Sequence, residues 1–255
     1  MRLPLEAEYR RLASPPIAGR AETLTESAAS HLPAAVRRYL KVTGAMGRPR
    51  PAGFRVRFTG AIRGGPADPW MPFTAEQVSR TGENPSRYFF MKASRSGVPV
   101  HALHVLRSGT ATMRVKVLGL VTVVDARGPE MDLAETVTLL NDLCIFAPGA
   151  LADPSLEWVD GGAREARVAF TNAGHTVHAN LHFGETGELV DFDSDDRLAV
   201  GKDGRTFTKM RWSTPLRDYS AFGPLRLASR GDAVWHAKEG PYAYGRFEMR
   251  DVIVE

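Results

Sequence analysis

The sequence is poor in cysteine and in long hydrophobic runs. Its single cysteine, Cys144, cannot form an intramolecular disulfide, which fits a reducing or redox-indifferent compartment. The longest conspicuous apolar run, Val117 to Val124, has eight residues, whereas a membrane-spanning helix needs about 20. Acidic side chains occupy the first residues, where a secretory signal peptide has an apolar stretch. We therefore expect a cytoplasmic protein without a transmembrane segment.

The motifs of several large enzyme classes are also missing. No GxGxxG follows a strand, and neither GxxxxGK[ST] nor GxSxG occurs, so nucleotide-dependent and serine-hydrolase chemistry lack their usual sequence support. His178 and His182 share one face of a predicted strand, but zinc needs three or four ligands and this face offers two strong ones. We expect no metal site and no cofactor.

Charge is distributed unevenly along the chain. Residues 1 to 127 carry 20 Lys and Arg against 8 Asp and Glu, whereas residues 128 to 255 carry 13 against 21. The basic half lacks a helix-turn-helix, zinc-finger spacing or an aromatic RNA-binding signature, so we expect no nucleic-acid partner. An alternative hypothesis is that this basic half binds an acidic partner or an anionic surface.

Alternation of apolar and polar residues dominates from Phe54 onward and predicts strands. Short connections between them favour antiparallel pairing, because parallel crossovers need a dozen or more residues. Two helices are predicted, one near Pro33 to Leu40 and one over Asp132 to Phe146, where Asp132 and Glu135 resemble an N-cap arrangement. The fold class is mainly β (α+β): a single curved antiparallel sheet or half-barrel with helices covering its concave face.

Two regions are predicted along the chain. Residues 1–30 lack a strong pattern and are expected to form a weakly structured N-terminal arm or a short surface helix, and residues 31–255 form one β-rich domain. Within that domain, Ala111 to Val124 is predicted to be a long strand that becomes apolar on both faces after Gly119. The Asp132 helix has the widest apolar face and is expected to cover it.

Residues of the sheet and the covering helix are candidates for a ligand site in the hollow between them. His104 lies in an otherwise apolar strand next to the long one, so its imidazole is expected within reach of Glu135 or Asn141. The predicted ligand-binding set is Trp70, Phe73, His104, Met113, Val121, Glu135, Leu140 and Asn141. His104, Glu130 and Glu135 are the catalytic candidates, because an imidazole and carboxylates in one cavity can exchange protons. A satisfied core histidine and a helix-capping Glu135 are the structural alternative.

Several motifs, in order along residues 32–255, resemble a bacterial family of unknown function. They include WMPFTAEQ from Trp70, HxxxxGxATMxVKV from His104, and VVDARGPEMDLAETVTLLNDLCIFAP from Val123, followed by GELVDFDSDDR and WSTPLRDY. The resemblance implies an open, strongly curved antiparallel sheet like that of the lipoprotein carrier LolA. It transfers no catalytic mechanism.

Two functions compete at this point. The first is binding of a lipid or another elongated hydrophobic small molecule between the curved sheet and the helices. The second is a cofactor-independent enzyme, a cyclase, isomerase or hydrolase, that acts on an apolar substrate in the same hollow. Whether the protein is an enzyme, its ligand and its oligomeric state stay open.

Overall fold

The computed structural model of the chain describes residues 4–17, 22–201 and 203–255. Its helices are α1 (Leu5–Ala13), α2 (Ala34–Val42) and α3 (Pro129–Phe146), and a short 3-10 helix follows α3 at Pro148–Ala152. Its strands are β1 (Gly53–Ile62), β2 (Met71–Arg80), β3 (Ser86–Arg95), β4 (Val98–Arg107), β5 (Thr110–Val117), β6 (Val121–Arg127), β7 (Leu156–Asp160), β8 (Glu165–Asn172), β9 (His175–Phe183), β10 (Leu189–Ser194), β11 (Leu198–Val200), β12 (Phe207–Lys209), β13 (Trp212–Ser213), β14 (Leu216–Phe222), β15 (Leu225–Ala237) and β16 (Gly240–Val254). None of these helices is both long and apolar enough to cross a membrane.

One large antiparallel sheet organises the described residues. Its strand order is β6-β5-β4-β3-β2-β1-β16-β15-β13-β10-β9-β8-β7, with β14 paired to β15, and β11 pairs only with β12. Helix α3 contacts β5 near one end of this order and β9 near the other, so the sheet curls around the helix. The predicted fold class, a mainly β chain with a curved antiparallel sheet and helices on its inner side, is confirmed.

Helices α2 and α3 share the inner core. The hydroxyl of Tyr39 on α2 donates a hydrogen bond of 2.8 Å to the backbone carbonyl of Cys144 on α3. Both residues are fully buried. Helix α3 ends before Pro148, because proline has no backbone N–H to continue the hydrogen-bond pattern.

Helix α1 packs on the outer face of the sheet against β3 and β4. Tyr9 of α1 stacks on Phe90 of β3 with ring centroids 5.6 Å apart, so β3 is buried on both faces. This helix corresponds to the short surface helix that the sequence left open for residues 1–30. Residues 1–3 and 18–21 of the predicted arm lie outside the described residues.

The prediction of one long strand from Ala111 to Val124 is wrong. The chain reverses at Leu118 and Gly119, whose φ angles are +55° and +70°, so β5 and β6 are two strands of a tight hairpin. Positive φ at both central residues is the geometry of a two-residue hairpin turn. The apolar pattern of the sequence does not predict this turn, because Leu118, the first of the two central residues, is apolar like the strand residues around it.

The predicted N-cap of α3 at Asp132 is also wrong. The helix begins three residues earlier, at Pro129, after Gly128 with a φ of +109°. Proline at the first helical position loses no hydrogen bond, because that N–H has no partner inside a helix. The Asp132 carboxylate instead accepts a 2.6 Å hydrogen bond from the backbone N–H of Ala111, which ties α3 to β5.

Candidate functional site

Helix α3 carries polar side chains into the interior of the curled sheet. Glu135, Thr138, Asn141 and Asp142 follow one another at helical spacing on one side of the helix, and all four are buried. A buried polar group is costly unless it is hydrogen-bonded, so each of these side chains requires a hydrogen-bond partner.

Arg87 of β3 connects two of these carboxylates. Its Nη1 donates to Oε2 of Glu135 at 3.0 Å, its Nε donates to Oδ2 of Asp142 at 2.6 Å, and its Nη2 donates to Oε1 of Gln77 at 3.3 Å. Gln77 in turn donates to the same Asp142 oxygen at 2.7 Å. The side chains of all four residues therefore form one closed network beneath α3.

Glu135 has a second set of partners on its other oxygen. Nδ1 of His104 lies 3.2 Å from Oε1 of Glu135, and Nη2 of Arg197 lies 3.7 Å from the same oxygen. The guanidinium of Arg197 lies over the rings of Trp212 and Trp235, at 5.5 and 5.9 Å from their centroids. A cation over an indole ring is stabilised by the negative face of the aromatic system.

This environment shifts the pKa values of the two carboxylates in opposite directions. Burial raises the pKa of Glu135, but the interactions with Arg87, His104 and Arg197, including the hydrogen bond to His104, outweigh burial and hold this pKa well below its usual range. Burial dominates at Asp142 and raises its pKa, although Arg87 and Gln77 act in the opposite direction. The helix thus holds Glu135 ionised close to the imidazole.

A partly open cavity of about 160 Å³ lies between α3 and the sheet. Its polar lining includes His104, Glu135, Asn141 and Arg197, together with the network residues Gln77, Arg87 and Asp142 and with Ser229, Arg230 and Asp232 of β15. The remaining wall is mostly apolar and is formed mainly by Phe58, Ile62, Phe89, Met91, Ile145, Phe146, Phe247 and Met249. An apolar cavity with a few convergent polar groups is the usual form of a small-molecule site.

The structure brings three of the predicted site residues together at this cavity. His104, Glu135 and Asn141 all line it, and the predicted proximity of His104 to Glu135 is confirmed by their hydrogen-bonding distance. Asn141 donates to the hydroxyl of Thr214 at 2.7 Å. The alternative role of Glu135 as a helix cap is wrong, because its side chain binds Arg87 and His104.

The other predicted residues lie away from the cavity wall. Phe73 is buried against Phe247, and Leu140 is fully buried in the core. Met113 of β5 is half-buried and packs against the same core. None of these three belongs to the cavity lining.

Trp70, Val121 and Glu130 lie at the surface or near it. Trp70 is held between the guanidinium groups of Arg63 and Arg246, at 4.5 and 4.4 Å from its ring centroid. Val121, predicted as a wall of the hollow, follows the β5–β6 turn and is 59% exposed. Glu130 is exposed and borders a separate polar cleft beside β6.

Sequence reasoning missed the two arginines of the site. Arg87 lies two and four residues before Phe89 and Met91 in β3, and these two residues line the cavity. Because side chains two residues apart in a strand lie on the same face, Arg87 also points to the inner face. A charged residue at an inward position was the signal that could have identified it. Arg197 lies between β10 and β11, outside any strand, and no periodic pattern marks it.

Comparisons with known proteins identify a family and find distant similarity to solved structures. The model of a family of unknown function, DUF6544, matches residues 22–247. A LolA superfamily protein from Nitrosomonas europaea is 10% identical with a TM-score of 0.46, over 87% of this chain and 92% of that chain. A DUF1329 family protein from Desulfovibrio piger is 12% identical with a TM-score of 0.45, over 92% of this chain and 94% of that chain. No curated protein matches the chain.

Proposed function

The chain belongs to the DUF6544 family, whose function is unknown, and we propose that it binds a lipid or another hydrophobic small molecule between its sheet and α3. This family membership confirms the resemblance that the sequence motifs indicated. The proposal rests on the shape and chemistry of the cavity, which joins an apolar aromatic wall to a compact polar side.

The volume of the cavity indicates how such a ligand would sit. A cavity of about 150 Å³ holds a molecule the size of benzene, and this one has about 160 Å³. An elongated ligand would therefore place one end inside, and the remainder would leave through the open side. Rearrangement of the walls would be required to enclose a whole acyl chain.

The polar side of the cavity favours a ligand with one polar end. Nε2 of His104 has no hydrogen-bond partner among the described residues, and the imidazole lies on the cavity wall. The donor groups of Arg197 lie on the same wall. A hydroxyl group on the ligand would donate to Nε2 of His104, and a carboxylate or carbonyl group would accept from Arg197, while the apolar part of the ligand would contact the phenylalanines.

Binding is tested with a dansyl-labelled fatty acid and a variant that fills the cavity. Thr138 lines the cavity, and its hydroxyl bonds only to the carbonyl of Ala134 in its own helix, so Thr138→Phe adds volume without removing a tertiary hydrogen bond. We expect probe affinity to fall at least tenfold in this variant. Thr171→Phe on the exposed face of β8 is the matched control and should bind as the wild type does.

Native mass spectrometry of protein purified from its host complements the titration. A retained apolar molecule that is lost in Thr138→Phe supports the proposal. Equal probe affinity in the wild type, Thr138→Phe and Thr171→Phe would overturn it, provided that circular dichroism shows all three to be folded.

A second candidate function is general-base catalysis on an apolar substrate in the same cavity. The contact between Glu135 and Nδ1 of His104 favours the tautomer in which Nε2 is a free acceptor toward the cavity. If the protein is such an enzyme, His104→Gln abolishes turnover and preserves probe binding. If it is a binding protein, His104→Gln changes affinity and there is no turnover to lose.

A further inference from the structure

The β5–β6 hairpin exposes apolar side chains in a way that folding does not require. Leu118, Leu120, Val121 and Val123 are 58%, 81%, 59% and 46% exposed, and Val98 at the start of the adjacent β4 is 39% exposed. These five are most of the large hydrophobic residues that the described part of the chain leaves exposed. A cluster of this kind marks an interaction surface more often than isolated exposed residues do.

The backbone of the turn strengthens this inference. Leu118 occupies a left-handed conformation with a φ of +55°, where glycine or asparagine is normally found. Its N–H bonds to the carbonyl of Pro99 at 2.9 Å, which connects the tip of the hairpin to β4. A leucine that is both strained and exposed contributes little to the stability of the fold, so its side chain has another use.

The charge around the tip indicates the nature of the partner. Two basic side chains lie close to the tip: Arg95 pairs with Val98 across the β3–β4 turn, and Lys116 of β5 lies two residues before Leu118. The register places Lys92, His101 and Lys116 side by side across β3, β4 and β5. Glu6 of α1 pairs with Lys92, whereas Arg95 and Lys116 form no ion pair within the described residues.

We propose that the tip formed by Val98, Leu118, Leu120, Val121 and Val123 inserts into the interface of an anionic membrane. Arg95, the last residue of β3 and the partner of Val98, and Lys116 would then meet the headgroups. Apolar side chains that enter the headgroup region together with flanking basic residues are the usual elements of peripheral membrane binding. This inference does not depend on the cavity or on its ligand.

A second copy of the chain fits this surface less well. Two hairpins in contact would bring their basic residues together, and like charges repel. Five aliphatic side chains also fall short of the roughly 1,000 Å² that a stable protein interface buries. The anionic membrane is therefore the partner that both the charge and the size of the tip favour.

Vesicle co-sedimentation tests the proposal. We expect the wild type to bind vesicles of phosphatidylcholine and phosphatidylglycerol at least tenfold more strongly than vesicles of phosphatidylcholine alone, and high salt to reduce this binding. The variant with Leu118→Asn and Leu120→Ser should lose at least tenfold, because asparagine keeps the turn while the apolar side chains are removed. Arg95→Glu with Lys116→Glu should lose a similar factor.

Val159→Ser is the matched control, since Val159 is 61% exposed on β7 at the opposite edge of the sheet. It should bind vesicles as the wild type does. An environment-sensitive fluorophore attached through Leu120→Cys should shift to the blue with anionic vesicles, and one attached through Val159→Cys should not. Absence of wild-type binding to anionic vesicles, or self-association that the Leu118→Asn and Leu120→Ser variant abolishes, would overturn the proposal.

Discussion

Glu135 of α3 and Arg87 of β3 form a buried ion pair, with Nη1 and Oε2 3.0 Å apart and side chains that are 1% and 8% exposed. Arg87 also pairs with Asp142, so one guanidinium serves two carboxylates of the same helix. Because these charges lie in the interior, their mutual attraction is needed to offset the cost of removing them from water. The candidate site is therefore also a structural element that holds α3 against the sheet.

Replacement of Arg87 should destabilise the fold strongly. Arg87→Met leaves Asp142 buried without a cation and leaves Glu135 with only Arg197 and His104, and removal of one partner from a buried ion pair costs about 3 to 5 kcal/mol. Urea denaturation measures the free energy of unfolding. Arg57→Met, which breaks an exposed pair with Asp251, is the control and should change it by less than about 1 kcal/mol. Equal effects of the two substitutions would contradict the structural role of Arg87.

Glu135 should contribute to acid denaturation. Its pKa in the folded protein lies below the ordinary value of 4.5, so the stability that it contributes is present above pH 4.5 and is lost as the pH falls toward the folded pKa. In Glu135→Gln, the free energy of unfolding should fall less steeply between neutral pH and pH values below 4.5 than in the wild type. Urea titrations across this range measure the two slopes, and parallel curves would exclude the predicted contribution.

Replacement of Leu118 by asparagine should stabilise the protein. The left-handed conformation costs an ordinary residue about 1 to 2 kcal/mol, and asparagine tolerates it, so we expect a gain of up to about 1 kcal/mol in Leu118→Asn. Leu120→Asn provides the comparison, because Leu120 is exposed in the same hairpin without a positive φ. Thermal unfolding of both variants measures the change in stability that each substitution causes. A similar change in both would show that removal of an exposed leucine, and not relief of backbone strain, is the cause.

The thiol of Cys144 should be inert in the native protein. The side chain is fully buried, and burial raises its pKa, so the reactive thiolate is scarce. Ellman's reagent at pH 8 is expected to label it only in denaturant. Rapid labelling of the native protein would indicate that α3 separates readily from the sheet.

Much of this architecture could be predicted from local patterns. Alternation from Phe54 onward predicted antiparallel strands, and the apolar face of Asp132 to Phe146 predicted the helix that the sheet surrounds. The same reasoning placed His104 within reach of Glu135 or Asn141, because its strand was expected to lie beside the next one and the Asp132 helix to cover both. The apolar alternation could not predict the turn at Leu118, since leucine is not a residue type that indicates a positive φ.

The sequence by itself determined the period of the strands, the position of the main helices and the basic character of residues 1 to 127, because each is a property of neighbouring residues or of composition. Only the tertiary structure decided which charges meet. Arg87, Glu135 and Arg197 are far apart along the chain, and the curl of the sheet around α3 brings them to one side of a single cavity. Burial then makes their pairing necessary, because an unpaired charge in that interior is too costly to keep.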